Sequence, residues 1–258
     1  MSSIPPFNLP SDPAKKIVLR EATVTDAMDF AEIDERHEEE VTTLFLNRVQ
    51  VATPPLDSAL WTAEDRRLAL YWYWLHTTKE TTVLLSYDCD FCGKTHQWAL
   101  DLKELADGYR PIEGAPKRSF EFGAVTLHAH PLLGGDMEAL ELMAMDVEAA
   151  RDACGPESRE HRRARNALRL ERFIRCLAGP DDLDGAREFV MGLPASDFVE
   201  LANLVDGKLS EMRHGLATAY DDGQVFLLTP PHSCSEGKEG KTRLRMPFRN
   251  IDYIPGLQ

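Results

Sequence analysis

The sequence predicts an α+β fold, in which split zinc-ribbon-like β hairpins enclose a helical insertion and follow an N-terminal helical segment. Three observations carry this expectation. Apolar residues alternate with period two over residues 81–131 and again over 219–258. From Asp136 to Arg213 the apolar spacing is helical. Each period-two stretch also holds a loop with soft metal ligands, "YDCDFCGKTH" at 87–96 and "TPPHSCSEGKEGK" at 229–241.

Taken in order, residues 1–15 hold four prolines and read as an extended arm, either a free tail or a strap lying on a partner. Residues 16–80 open with a short strand, "KIVLREATV". Thr25 is then placed to cap one helix through "DAMDFAEIDERHEEEVTTLFLNRV". Between Glu21 and Glu40 there are nine acids and one base, Arg36. After "ATPPLD", a second helix is expected over "WTAEDRRLALYWYWLHTT", where Thr62 and Asp65 have capping-box spacing. Its consecutive aromatics, Tyr71 to Trp74, cover more than one helix face, as core residues or as a partner surface.

Residues 81–131 form the first half of the β unit. "TTVLLSY" enters the cysteine loop, "HQWALDL" leaves it with Trp98, Leu100 and Leu102 on one face, and "SFEFGAVTLHAH" continues the strands. Residues 132–218 are the helical insertion, punctuated by Gly155, Gly179, Pro194 and Gly215. Residues 219–258 return to strands in "GQVFLLT" and "TRLRMPF" and end in a tail.

With 258 residues, 43% of them hydrophobic, the chain can bury a substantial core. Its net charge of −14 repels nucleic acid in general, so nucleic acid is an unexpected partner. The opening "MSSIPPFNLPSDPAKK" has no apolar signal core, and no apolar run has membrane-span length. A reducing cytoplasm is therefore expected, and five cysteines do not suggest a disulfide framework. No phosphate-binding loop, dinucleotide fingerprint, nucleophile elbow or His-Glu-x-x-His helix occurs, so no enzyme activity is expected. "REHRRARNALRLERFIR", Arg159 to Arg175, carries seven arginines at helical spacing. These pair with acids on their own surface or meet an acidic protein partner.

The two loops share one context: strand, ligand-bearing loop, strand. Paired hairpin loops that each supply two ligands to one tetrahedral ion are the layout of a zinc ribbon. The proposed ligands are Cys89, Cys92, His232 and Cys234. His96 is the first substitute for His232, with His128 and His130 behind it. Cys176, beside Ile174 and Leu177, reads as a buried inert thiol, and Cys154 lies at a helix end. A bare-thiol remnant of a metal site is the second reading. A dithiol redox centre is the third, weakened because a strand rather than a helix follows Cys92.

"IVLREATVTDAMDFAEID" resembles the opening of tail-assembly proteins from tailed bacteriophages. Together with "CDFCGKTHQWALDLKEL" and "TPPHSCSEGKEGKTRLRMPF", it resembles the baseplate hub and hub-assembly proteins of T-even-type phages. The resemblance implies a non-enzymatic component that helps build, or remains in, a tail baseplate. Other tail proteins would be its partners, and the virion or the host cytoplasm its location. A zinc-ribbon nucleic-acid or regulatory module is the alternative, and a thiol-redox or metalloenzyme the third.

Overall fold

The computed structural model describes residues 4–31, 34, 36–177, 182–221 and 224–255. The protein mixes helices with small antiparallel sheets, as an α+β class requires.

The expected arm is a hairpin instead. Strands β1 (Phe7–Leu9) and β2 (Asp12–Ile17) pair antiparallel, with Phe7 opposite Ile17. Ile4, Phe7 and Leu9 are buried, because alternation along the short strand sends both β1 apolar groups to one face. The backbone N–H of Ser11 donates to the Asp65 carboxylate at 2.9 Å and fixes the turn. Trp72 donates its indole N–H to the Pro5 carbonyl at 2.7 Å.

The single helix expected over 26–49 is two, α1 (Val24–Ala31) and α2 (Glu38–Val49). Between them Arg36 N–H donates to the Asp34 side chain (3.0 Å) and His37 N–H to the Asp34 carbonyl (2.9 Å). Such local bonds offer the backbone an alternative to the helix. Thr23, not Thr25, caps α1. Its hydroxyl accepts the Asp26 N–H (3.2 Å), and the Asp26 carboxylate accepts the Thr23 N–H (2.8 Å). Helix α3 (Ala63–Thr77) starts on the expected Thr62/Asp65 capping box. Tyr71 and Tyr73 are buried and Trp72 and Trp74 half-buried against the same core, so the aromatic run is core.

Strands β3 (Thr82–Asp88) and β4 (Thr95–Asp101) form the first ligand-bearing hairpin, with Tyr87 opposite His96 and Leu85 opposite Trp98. Helix α4 (Lys103–Asp107) follows. Strands β5 (Arg118–Phe122) and β6 (Val125–Ala129) pair only with each other, not with the β3–β4 hairpin. Phe120, Phe122 and Leu127 pack against the helical core, which draws this hairpin away from the cysteine loop.

The insertion holds the expected helices, α5 (Gly134–Cys154), α6 (Arg159–Leu177), α7 (Leu183–Met191) and α8 (Ala195–Glu211). Gly155 closes α5 and Pro194 precedes α8, whereas Gly179 lies outside the described residues. On α6, Arg175 pairs with Asp136 and Glu171, while Arg159, Arg162, Arg163, Arg165 and Arg169 are exposed. The chain ends with β7 (Thr218–Asp221), β8 (Gln224–Leu228), β9 (His232–Ser233), β10 (Lys241–Thr242) and β11 (Arg245–Phe248). The order β11-β8-β7 makes one sheet, and β9–β10 extends it as a separate hairpin that carries the second loop.

Among the described residues two large apolar cores result, beside a small buried cluster of Tyr87, Cys89 and Cys234. One joins the N-terminal hairpin, α2, α3 and residues of β4, β8 and β11; the other joins β5–β6 with the insertion helices. No helix among the described residues is long and apolar enough to cross a membrane.

Candidate metal centre

Cys89 and Cys92 sit in the β3–β4 loop, which closes through two backbone bonds. Cys89 N–H donates to the Lys94 carbonyl (3.0 Å) and Gly93 N–H to the Cys89 carbonyl (2.8 Å). The turn needs a φ of +69° at Gly93, a conformation costly for any residue with a Cβ. Across from it, Cys234 leaves β9, and Gly237 N–H donates to its carbonyl at 3.1 Å.

The fold brings together one potential ligand atom from each of Cys89, Cys92, His96 and Cys234, all within 4.8 Å of one another. His96 Nε2 lies 3.0 Å from Cys92 Sγ and 3.8 Å from Cys234 Sγ. A zinc ion about 2.3 Å from each sulfur would space tetrahedral ligands about 3.8 Å apart. The three-thiol, one-imidazole donor set therefore fits a metal such as zinc in both chemistry and spacing. Cys89, Cys234 and His96 are buried and Cys92 half-buried.

Of the expected ligands, Cys89, Cys92 and Cys234 lie in the cluster, and His96 stands there where His232 was expected. The His232 ring stacks on Trp98, with centroids 4.3 Å apart and an interplanar angle of 16°, and is not in the cluster. The reason is strand parity. His96 shares its face of β4 with Trp98 and Leu100, the face turned inward. That signal was present in the sequence, as was the three-residue gap from Cys92 to His96. His128 bonds Ser119 Oγ (2.9 Å) on the β5–β6 hairpin, and His130 bonds the Pro131 carbonyl (2.9 Å); neither joins the cluster. Cys154 is exposed. Cys176 is buried in the helical core, and burial pushes its thiol up to about 12.

Electrostatics distinguish the clustered thiols. Burial works against ionisation of Cys234, but the amides of Glu236 and Lys238 and the neighbouring Cys92 and Cys89 thiols overcome it and hold Cys234 down to about 7. The Lys94 amide lowers Cys92, yet burial and the other two cysteines leave it raised. A metal requires thiolates, and amide donors aimed at sulfur favour them. The amide two residues after the cysteine serves in both loops, Lys94 for Cys92 and Glu236 for Cys234.

The surrounding shell ties the loops together. Ser235 Oγ lies 2.6 Å from His96 Nδ1. A metal held at Nε2 would leave the hydrogen on Nδ1, which would donate it to this hydroxyl and fix the ring. Lys94 pairs with Glu236 at 2.9 Å across the two loops. Gly240 lies so close to the Phe91 ring that a Cβ there would clash with it. Tyr87 is buried beside Cys89 and Cys234 with no hydrogen-bond partner for its hydroxyl among the described residues, and burial followed by the thiols raises its phenol.

If all four side chains held one ion, they would complete a tetrahedron, the coordination pattern of structural zinc sites. Comparison with known proteins finds no matching family model, no matching curated protein and no matching solved structure.

Proposed function

We propose that this protein is a non-catalytic scaffold whose two hairpins form a zinc-ribbon-like unit around one structural zinc ion held by Cys89, Cys92, His96 and Cys234. The observation that carries the reading is the closed set of three thiols and one imidazole contributed by two loops 138 residues apart at His96 and Cys234. When bound, the ion supplies cross-linking, with no chemistry at an open coordination site. Closing so long a loop removes unfolded-chain entropy, by about 4–5 kcal/mol on the scale known for covalent cross-links. Within the same proposal the protein is a structural or assembly component of a bacteriophage tail baseplate. Its sequence resemblance to hub-associated proteins supports this. Its location would be the virion tail, or the host cytoplasm during assembly.

The nucleic-acid reading is weaker. Asp88 and Asp90 flank Cys89, and the exposed Lys94, Lys238 and Lys241 of the two loops are offset by these acids with Glu236 and Glu239, so no basic face surrounds the cluster.

Two measurements test the two halves of the proposal. The purified chain should carry one zinc and melt well below its native temperature after chelation; equal melting with and without chelator contradicts the metal. Pull-down against purified hub and tail-tube subunits of a T-even-type phage should capture the protein. A monodisperse monomer that ignores both, and instead shifts DNA at low salt, contradicts the baseplate role.

A further inference from the structure

The chain is strongly acidic, yet one of its clefts is basic. A cleft of about 1010 Å³ opens between the two apolar cores, where α3, α6, the end of α8 and β8 meet. Arg67 lies buried in its wall. The Arg67 guanidinium donates to Glu64 Oε1 (2.9 Å) and to Tyr220 Oη (2.8 Å), and Tyr220 donates to the same Glu64 oxygen (2.7 Å). Burial disfavours the Glu64 carboxylate, but Arg67, His214 and Tyr220 overcome this and hold its carboxyl below the usual range. Glu64 is therefore charged and already matched by Arg67.

Four further arginines line the cleft from four separate segments: Arg110, Arg172, Arg213 and Arg243. Each is an exposed residue, and none forms an ion pair among the described residues. Only Glu104 and Asp206 remain as acids in the wall, so the lining has a surplus of two positive charges. Gathering like charges works against folding, and a bound anion relieves it. The Tyr220 ring is half exposed, with the Arg67 and Arg172 guanidiniums 5.5 and 5.8 Å from its centroid. Leu132, Met137 and Leu209 give the cleft an apolar side.

We propose that this cleft binds a small organic polyanion, bearing two or more phosphate or carboxylate groups, through Arg110, Arg172, Arg213 and Arg243. Planar guanidiniums match either oxyanion in bidentate fashion. The volume is at the upper end of small-molecule sites and exceeds what a lone phosphate fills. The carbon portion would rest against the Tyr220 ring and the apolar side. None of the four candidate metal ligands lines the cleft, so this site stands or falls apart from the zinc reading.

Isothermal titration of the full chain with ATP, citrate and inorganic pyrophosphate at matched ionic strength tests the site. At least one probe should bind saturably, ATP or pyrophosphate if phosphate is preferred and citrate if carboxylate is. The Arg172→Ala/Arg213→Ala double variant should lose about tenfold or more in affinity. Arg163→Ala/Arg165→Ala, on the same helix but outside the cleft, should bind as the native chain does. Melting without ligand checks folding; if the double variant does not fold, Arg243→Ala alone carries the test. No binding by any probe, or equal weakening by cleft and control variants, overturns the proposal.

Discussion

Two buried cysteines, Cys234 and Cys176, sit in regions held together by different means. Around Cys234 the buried cluster consists of Tyr87, Cys89 and Cys234, with Cys92, Trp98 and Leu244 half-buried beside it. Cys176 is one of eleven buried residues, among them Ile174, Leu201 and Met212, that close on one another. Backbone amides and neighbouring thiols hold Cys234 at about 7, whereas apolar burial lifts Cys176 to about 12. One environment prepares a thiolate and the other suppresses it. The two loops themselves bury little apolar surface beyond this cluster, and a metal is a stabiliser their donor set suits. The helices need none.

The largest effect should separate the two cysteines. Cys234→Ser should release the metal and cost about 4–5 kcal/mol, a fall in melting temperature of about 10–15 °C. Cys176→Ser should retain the metal and cost about 2 kcal/mol for burying a hydroxyl. Zinc content and thermal melts of both variants check this, and equal zinc loss would erase the contrast. Leu201→Ala, at a fully buried position of the helical core, should cost about 3 kcal/mol and leave zinc content unchanged.

A pH series sharpens the comparison further. Burial, then Glu39 and Glu38, raises the Glu141 carboxyl from 4.5 to about 7, where it accepts the Glu39 N–H between α2 and α5. Its folded value lies above its unfolded one, so its contribution is fully present below about pH 4.5 and is lost as pH rises through about 7. Relative to Glu141→Gln, the native chain should lose stability between pH 5 and pH 8 in denaturant titrations. The metal hairpins should respond in the opposite sense, since protons compete with zinc for thiolates and acid releases the ion. The smallest effect is expected at Gly240, which has φ +132° and lies against Phe91. Gly240→Ala should cost about 1–2 kcal/mol and speed zinc transfer to a chelator, while the ion is still bound at equilibrium.

What the sequence disclosed tracks how local each signal is. The Thr62 capping box, the insertion helices and the Cys89/Cys92 loop depend on residues a few positions apart, and all were legible. Pairing the second loop with the first was legible too, because both cysteines sit between strands. The fourth member of the cluster was expected to be His232 and is His96. His232 has the shorter spacing to Cys234, but its ring stacks on Trp98, while strand parity turns His96 inward. The N-terminal hairpin was missed because its anchors, Asp65 and Trp72, lie more than fifty positions away. The basic cleft was missed for the same reason: its arginines come from four distant segments, and only the packing of the two cores gathers them.

X-ray absorption at the zinc edge of the purified native chain tests the central claim most directly. Three sulfurs at about 2.3 Å and one nitrogen at about 2.0–2.1 Å are expected, with the nitrogen lost in His96→Ala and kept in His232→Ala. A shell of two sulfurs and two lighter atoms, a nitrogen that disappears with His232, or a protein without zinc would contradict it.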